Sequence, residues 1–328
     1  MAPAPLDTEP IGAMPPVTRP DGERPRVVIF ADRPGWAHDA AARPISKLLS
    51  DEFEIRVEYR SNRPNLARWP FDLIYVLFWG EQYHHKYIHD ARKIIKQAAS
   101  TRWADKLTPA QWVEQYLADA GAIAVPSRKL QNILAPYRNT VLVPNGFDPE
   151  VFSVKGLRTG RLRVGWAGNR NDPCKGLKDV LIPAVGGDFD FSIAGGDLSQ
   201  AEMVGFYNSV DVICVASTAE GDPCTLTEGM ACGCFPVCVD VGIVPELVQS
   251  GTNGLIVERT PAAFRSALTW CHENLDQVRE IGLRNAEDML RTRTWRIVSE
   301  QWRTIMRYAY RRLDDGTSVE IGGSAPLS

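Results

Sequence analysis

The chain predicts an α/β protein built on two doubly wound parallel sheets, and three observations carry that expectation. Short apolar runs alternate with helix-length periodic segments almost throughout, the pattern of parallel strands covered by helices. The 328 residues exceed what one hydrophobic core usually spans. Near the middle, "PNGFDPEVFSVKGLRTG" at 144–160 interrupts the alternation with proline, glycine and asparagine and reads as a linker.

In the first half the expected strands are "RVVIF" (26–30), "FEIRVEY" (53–59), "DLIYVLF" (72–78), "GAIAV" (121–125) and "TVLV" (140–143), with another within 95–101. Helices are expected near 38–49, 85–98, 108–118 and 127–135. A second parallel set follows the linker: "LRVGWAG" (162–168), "FDFSIAG" (189–195), "VDVICVAS" (210–217), "FPVCVD" (235–240) and "GLIVE" (254–258). From 261 to 312 the pattern turns helical, and Val298, Trp302, Ile305, Met306 and Ala309 form one apolar stripe. The proline-rich residues 1–24 lack the apolar core of a signal or anchor and read as a disordered tail, as do the polar residues 313–328.

Composition sets bounds on partners and compartment. With 44% apolar and 23% charged residues the chain is ordinary globular material, and a net charge of −3 exerts no overall pull toward nucleic acid or an anionic membrane. No apolar run reaches the roughly 18–20 residues of a membrane span. Seven cysteines, without a CxxC pair or a neighbouring histidine at metal-site spacing, read as reduced, buried thiols of a cytoplasmic protein.

Doubly wound sheets bind ligands beyond the carboxyl ends of their strands, so the loops there hold the candidate chemistry. After "VGWAG", "NRNDPCKG" brings Arg170 and Lys175 into a strand-to-helix turn. Such a turn can receive a diphosphate through cations and orphan amides, or it can be a solvated basic loop. After "VICVAS", Glu220 and Glu228 flank a tight turn. Thr225-x-x-Glu228 fits a capping box, whereas a carboxylate at the strand end and another in the first turn of the next helix could hold a sugar and a ribose. "RPGWAHD" places Gly35 and His38 after the first strand, as a close-approach site or a simple turn. His85 and His89 stand at helical spacing in "YHHKYIHD" without a third metal ligand at familiar spacing, which favours an acceptor-facing or solvated helix start over zinc. Asp188-x-Asp190 precedes its strand and reads as a turn. Neither G-x-G-x-x-G nor a P-loop pattern follows either first strand, which removes the usual supports for dinucleotide redox chemistry and P-loop hydrolysis.

Five blocks in order, "VPNGFDPEVF" (143–152), "VGWAGNRNDPCKGL" (164–177), "FYNSVDVICVAS" (206–217), "EGDPCTLTEGMACGCFPVCVDVGIVPELVQSGTNGLIVE" (220–258) and "TWRIVSEQW" (294–302), give the second half a sequence that resembles glycosyltransferase family 4. The resemblance implies the GT-B architecture. Two Rossmann-like domains would face each other across a cleft, at 25–148 for the acceptor and 149–300 for the donor, with a helix at 301–312 crossing back to the first domain. It implies a retaining transfer of a sugar from a nucleotide-sugar donor to an acceptor hydroxyl, with no cofactor and no metal.

Within that resemblance Glu220 lies beside the donor sugar, Glu228 holds the ribose, and Lys175 meets the diphosphate. Arg170 substitutes, one position later, for an arginine that the family places where Asn169 stands. Gly35, Gly168, Gly195, Pro223, Cys224 and Thr225 complete the expected donor site. The chain departs from the family at Asp222, where a phenylalanine is common, and at "ASTRWADK", where Arg102 and Trp103 stand in place of a histidine. A nucleotide-sugar epimerase or hydrolase, or a non-catalytic binding subunit, would share the architecture. The acceptor is left open among a saccharide, a lipid-linked glycan, a small molecule and, at lower weight, nucleic acid. Seven arginines in 291–312 against Glu300 form either a surface for an anionic partner, including a peripheral membrane contact, or the solvated side of a packed helix.

Overall fold

The computed structural model describes residues 14–196 and 198–313; the outer parts of both expected tails, 1–13 and 314–328, lie outside them. The chain forms two units, Met1–Pro144 with Val298–Ser328, and Asn145–Ile297.

The first unit holds six parallel strands: β1 (Arg26–Ala31), β2 (Glu54–Tyr59), β3 (Leu73–Val76), β4 (Ile94–Gln97), β5 (Ala122–Val125) and β6 (Val141–Leu142). They stand in the order β2-β1-β3-β4-β5-β6, so the winding reverses between β1 and β3. β3, β4 and β5 are buried along their whole length, as strands covered on both faces must be. Helices α1 (Ala37–Leu48), α2 (Pro109–Trp112, continued by a π turn over Val113–Leu117) and α3 (Arg128–Leu134) connect them.

The helix expected over 85–98 is not formed. Two short 3-10 turns, Tyr83–Lys86 and Ala91–Lys93, lead into β4, and the Asp90 side chain accepts from the Arg92 amide to cap the start of the second. The strand expected within 95–101 is formed instead, as "IIKQ" captured between β3 and β5, and that burial on both sides prevails over the helical pattern that overlaps it. Arg102 and Trp103 follow this strand. Trp103 is core, stacked on Trp112 with ring centroids 4.5 Å apart.

The second unit repeats the plan with β7 (Arg163–Ala167), β8 (Asp190–Ala194), β9 (Val212–Val215), β10 (Phe235–Cys238) and β11 (Leu255–Ile256) in the order β11-β10-β9-β7-β8. All pairs are parallel, and the reversal falls between β7 and β9. The helices are α4 (Ile182–Val185), α5 (Gln200–Ser209), α6 (Cys224–Ala231), α7 (Val244–Leu247), α8 (Pro261–Glu273) and α9 (Leu275–Thr292). All seven cysteines are free thiols. Five are buried in this core, and Cys174 and Cys224 are half-buried.

The last helix, α10 (Trp295–Arg311), begins in the second unit and ends in the first. Its expected stripe is the reason. Val298, Trp302, Ile305, Met306 and Ala309 are all buried, Trp302 packs on Tyr75 of β3 at 5.1 Å, and its indole N–H donates to the Pro144 carbonyl at 3.1 Å. Arg303 and Arg307 donate to the Glu52 carboxylate, at 2.9 and 2.6 Å for the closest pairs. Residues 14–17, expected within a disordered tail, are held at the same place. Val17 is buried and its amide donates to Glu52, while Arg307 and Arg311 donate to the carbonyls of Met14 and Pro15. Elsewhere in the basic stretch, Arg291 pairs with Asp288, Arg293 with Asp222, and Arg312 donates to the Gly121 carbonyl. These cations are thus engaged within the chain. No helix among the described residues is long and apolar enough to cross a membrane.

Beneath β4 lies a charged cluster that the apolar pattern conceals. Lys96 is fully buried and its ammonium donates to both Asp119 oxygens, at 2.7 and 2.5 Å, and to the Tyr116 carbonyl at 2.8 Å. His85 also bonds Asp119, and His84 is buried beside it. Burial lowers the Lys96 pKa and Asp119 raises it, while the surrounding donors hold Asp119 well below the usual carboxylate range. Removing one member of such a pair strands the other. Lys96→Met is expected to cost about 3–5 kcal/mol in urea unfolding of the whole chain.

Candidate functional site

The second sheet reverses between β7 and β9, so the loops leaving those two strands converge at one point. Their backbones interlock. The Thr218 amide donates to the Cys174 carbonyl at 2.8 Å, and the Cys174 thiol to the Ala219 carbonyl at 3.5 Å. Gly176 adopts the left-handed conformation (φ 71°), and a Cβ there would lie 2.3 Å from the Ala216 carbonyl oxygen. Only glycine permits both.

This clasp delivers Lys175 to Glu220. The ammonium donates to Glu220 Oε1 at 2.5 Å, and the Ser217 hydroxyl donates to the same oxygen at 2.7 Å. Both partners are largely buried yet reach the surface, with side chains 28% and 12% exposed. Trp166, buried beneath them in β7, donates its indole N–H to the Lys175 carbonyl at 3.3 Å.

Arg170 sits on the same side, exposed, with its guanidinium donating to the Ile193 carbonyl at 3.3 Å. Its seat is Gly195, where a Cβ would come within 2.1 Å of Arg170 Nε. At Gly168 the close neighbour is the Trp166 ring, 3.0 Å from the position a Cβ would take, while Lys175 Cγ at 3.7 Å would be in ordinary contact. Of the two glycines, Gly195 is the one that makes room for a cation.

Past Glu220, Pro223 caps α6 without a side-chain hydrogen bond, and Cys224 and Thr225 occupy its first two positions. The first amides of a helix have no partner inside it, so this end offers donors and a partial positive charge. The capping box expected of Thr225 and Glu228 is not formed. Pro223 sets the helix start two residues earlier than that reading needs, and Glu228 turns inward instead, accepting from the Tyr207 hydroxyl at 2.9 Å. Burial pushes the Glu228 carboxyl up to about 7, partly offset by the tyrosine's hydrogen bond. Burial likewise raises the Cys224 thiol well above its ordinary range.

Nine of the ten candidate residues thus fall in the second unit, around its reversal point. Gly35 belongs to the first unit, in the loop after β1. It has φ 77°, and its amide donates to the α1 carboxylate of Asp39 at 2.7 Å, which gives the turn a structural reason of its own. His38, in the first turn of α1, pairs with Asp32 at 3.3 Å. Asp188 is exposed and pairs with Arg265, consistent with a turn. His89 does not join His85. Among the described residues, His84, His85 and Asp119 are the group that could offer three metal-ligand atoms within 4.8 Å, but the Lys96 ammonium already occupies both Asp119 oxygens. Sequence reasoning missed three contributors, Ser217, Tyr207 and Trp166. Each lies inside a strand-like or helix-like apolar run with nothing local to mark its polar atom.

Residues 162–274, which contain all nine, match the family of glycosyl transferases group 1. This is a glycosyltransferase domain. The chain as a whole superimposes on solved structures of low identity. One is sucrose-phosphate synthase from Thermosynechococcus elongatus, at 15% identity and a TM-score of 0.69, covering 90% of this chain and 100% of that one. Anabaena HepE in complex with UDP-glucose gives 15% and 0.62 over 86% and 99%. The catalytic domain of starch synthase IV from Arabidopsis thaliana, bound to ADP and acarbose, gives 12% and 0.62 over 88% and 100%. These likenesses establish the GT-B fold. No curated protein sequence matches the chain at a significant level.

The position of Glu228 gives the glycosyltransferase domain a pH signature. In the unfolded chain this carboxyl ionises near 4.5, whereas in the folded protein it holds its proton to about 7. The unfolded state therefore releases the proton first, and stability present below pH 4.5 is lost as pH rises through 7. Glu228→Gln removes that loss. Thermal or urea unfolding is expected to show the variant more stable at pH 8, by at most about 3 kcal/mol, and equal to the parent at pH 4.

Proposed function

We propose that this protein is a retaining, metal-independent glycosyltransferase that moves a sugar from a nucleotide-sugar donor to an acceptor hydroxyl. The observation that carries the reading is the meeting of Lys175 with Glu220, beside Arg170 and the uncapped start of α6, at the reversal point of the second sheet. A group 1 glycosyl transferase domain spans these residues, and two proteins of similar fold are solved with UDP-glucose and with ADP.

In this reading the donor's diphosphate lies over the start of α6. Breaking the bond between the anomeric carbon and the phosphate oxygen places negative charge on the departing nucleoside diphosphate. Arg170, Lys175 and the helix amides are fixed donors at that place, so they stabilise the charge without reorganising. The acceptor oxygen bonds to the anomeric carbon on the face the phosphate leaves, and its proton passes to a phosphate oxygen. Retention rests on the ordered sequence blocks shared with family 4. Glu220 orients Lys175 and presents its second oxygen to hydroxyls of the sugar, and Glu228 takes the ribose hydroxyls, as its place one turn into α6 allows.

Release of nucleoside diphosphate from UDP-, ADP- and GDP-sugars tests the reading directly. Lys175→Ala is expected to lower kcat by about 10²–10³-fold with the protein folded, the usual loss when one fixed donor to a developing anion is removed. Glu228→Ala is expected mainly to raise the donor KM, by about tenfold. The parent enzyme keeps its rate in excess EDTA, and the product's anomeric configuration, read by NMR, matches the donor's. Normal turnover in both variants would refute the assignment.

Gly195→Ala probes the arginine's seat separately. The added methyl collides with a flexible side chain and not with backbone, so stability changes little, by less than about 1 kcal/mol. Arg170 is displaced, and donor kcat/KM is expected to fall about tenfold in the same assay.

A further inference from the structure

Position 222, two residues after Glu220, carries a carboxylate that points away from the reversal-point loops and into the protein. The Asp222 side chain is fully buried. Its Oδ2 accepts from the Asn145 amide at 2.8 Å and from Arg293 Nη2 at 3.1 Å, whereas Oδ1 has no hydrogen-bond partner. These two donors come from the places where the second unit's chain begins and ends, next to the passages at 144/145 and 297/298. The two segments are also joined to each other. The Phe147 amide donates to the Arg293 carbonyl at 3.2 Å, and the Trp295 amide donates to the Phe147 carbonyl at 3.1 Å. On its other side the turn is pinned through Gly221, whose carbonyl accepts from the Ile243 amide at 2.8 Å. Gly242 permits that approach, because a Cβ there would stand 2.4 Å from the same oxygen.

One oxygen atom shared by donors on two separate segments makes three pieces of backbone move together, since a displacement of a few tenths of an ångström degrades both bonds. A buried carboxylate with a partly satisfied pair is also a costly way to fill space; an apolar residue would do it more cheaply. We propose that Asp222 is a positioning residue, tying the loop that carries Glu220 to both chain passages of the second unit. The lever is short, because two residues span at most about 7 Å. Any rearrangement of residues 145–147 or 293–295 is therefore passed to Glu220 and its bond with Lys175. The consequence for donor binding rests on the glycosyl-transfer reading; the tether itself does not.

Amide hydrogen exchange of the whole chain tests the tether with no ligand present. Asp222→Ala/Arg293→Met removes the carboxylate and the cation together, leaving no buried charge unpaired. Exchange at residues 145–147, 218–222 and 243 is expected to quicken together by about tenfold or more, with β7 and β9 unchanged. Asp222→Asn, whose amide oxygen can replace Oδ2 for both donors, keeps the parent pattern. A double variant that quickens at 145–147 while 218–222 and 243 stay protected overturns the proposal. Where that variant does not fold, Asp222→Asn/Arg293→Met keeps the Asn145 bond and is expected to loosen 293–295 and the Phe147 amide bonded to it, while 218–222 stays protected; loosening of 218–222 there also overturns it. In the functional arm, the UDP-, ADP- or GDP-sugar that the parent turns over binds the alanine/methionine variant about tenfold more weakly, and equal affinity counts against the proposal. Coupled exchange in a chain that turns over no nucleotide sugar upholds the tether and removes the donor reading.

Discussion

The clasp between the loops that leave β7 and β9 is the constraint on which the rest of the site depends. It is made of backbone, from the Thr218 amide on the Cys174 carbonyl to the close pass of Gly176 over Ala216, so no side-chain rotamer can undo it. Backbone groups in a parallel sheet's loops must find partners, and here each loop supplies the other's. The side-chain chemistry follows from that fixed path. Lys175 and Glu220 lie 45 positions apart in sequence and meet because their main chains are already joined.

Two glutamates eight residues apart end in opposite electrostatic situations. Glu220 is ion-paired and hydrogen-bonded by Lys175 and Ser217. Glu228 is buried with a tyrosine hydroxyl as partner, and burial favours its neutral form. One turn of helix therefore separates a carboxylate that orders a cation from one suited to neutral, hydroxyl-bearing ligands. The positive side of the site is built differently, with Arg170 exposed on a glycine seat and Lys175 reined in by its glutamate.

Much of this was legible in the sequence, for identifiable reasons. Strands of a parallel sheet are continuous apolar runs, and "RVVIF", "VICV" and "FPVC" announced themselves as such. The stripe from Val298 to Ala309 foretold that the last helix would bury one face. Loops at strand ends located Arg170, Lys175 and Glu220 together, because the topology of doubly wound sheets leaves few other places for them. What local pattern could not show was decided by distant partners. The helix expected over 85–98 gave way to turns and to the strand "IIKQ", which overlaps the run 95–101 where a strand was expected, and Lys96 and Asp119 paired across 23 positions. The capping box failed because Tyr207, on another helix, took Glu228. Asp222 was visible as a departure from the family pattern, but its meaning lay in Asn145 and Arg293, 77 and 71 positions away. Residues 14–17 showed no core-forming pattern, and they are ordered by Glu52, Arg307 and Arg311 rather than by their own sequence.

The interlocked glycines also bear on how such proteins diversify. Gly176 and Gly242 leave no space for a side chain against facing backbone at Ala216 and Gly221. A loop transplanted from a relative would therefore fit only if its opposing loop came with it. Recombination, natural or in the laboratory, is expected to inherit the segments 168–176, 216–223 and 240–243 as one block, so that new donor preferences arise by exchange of the set and not of its parts.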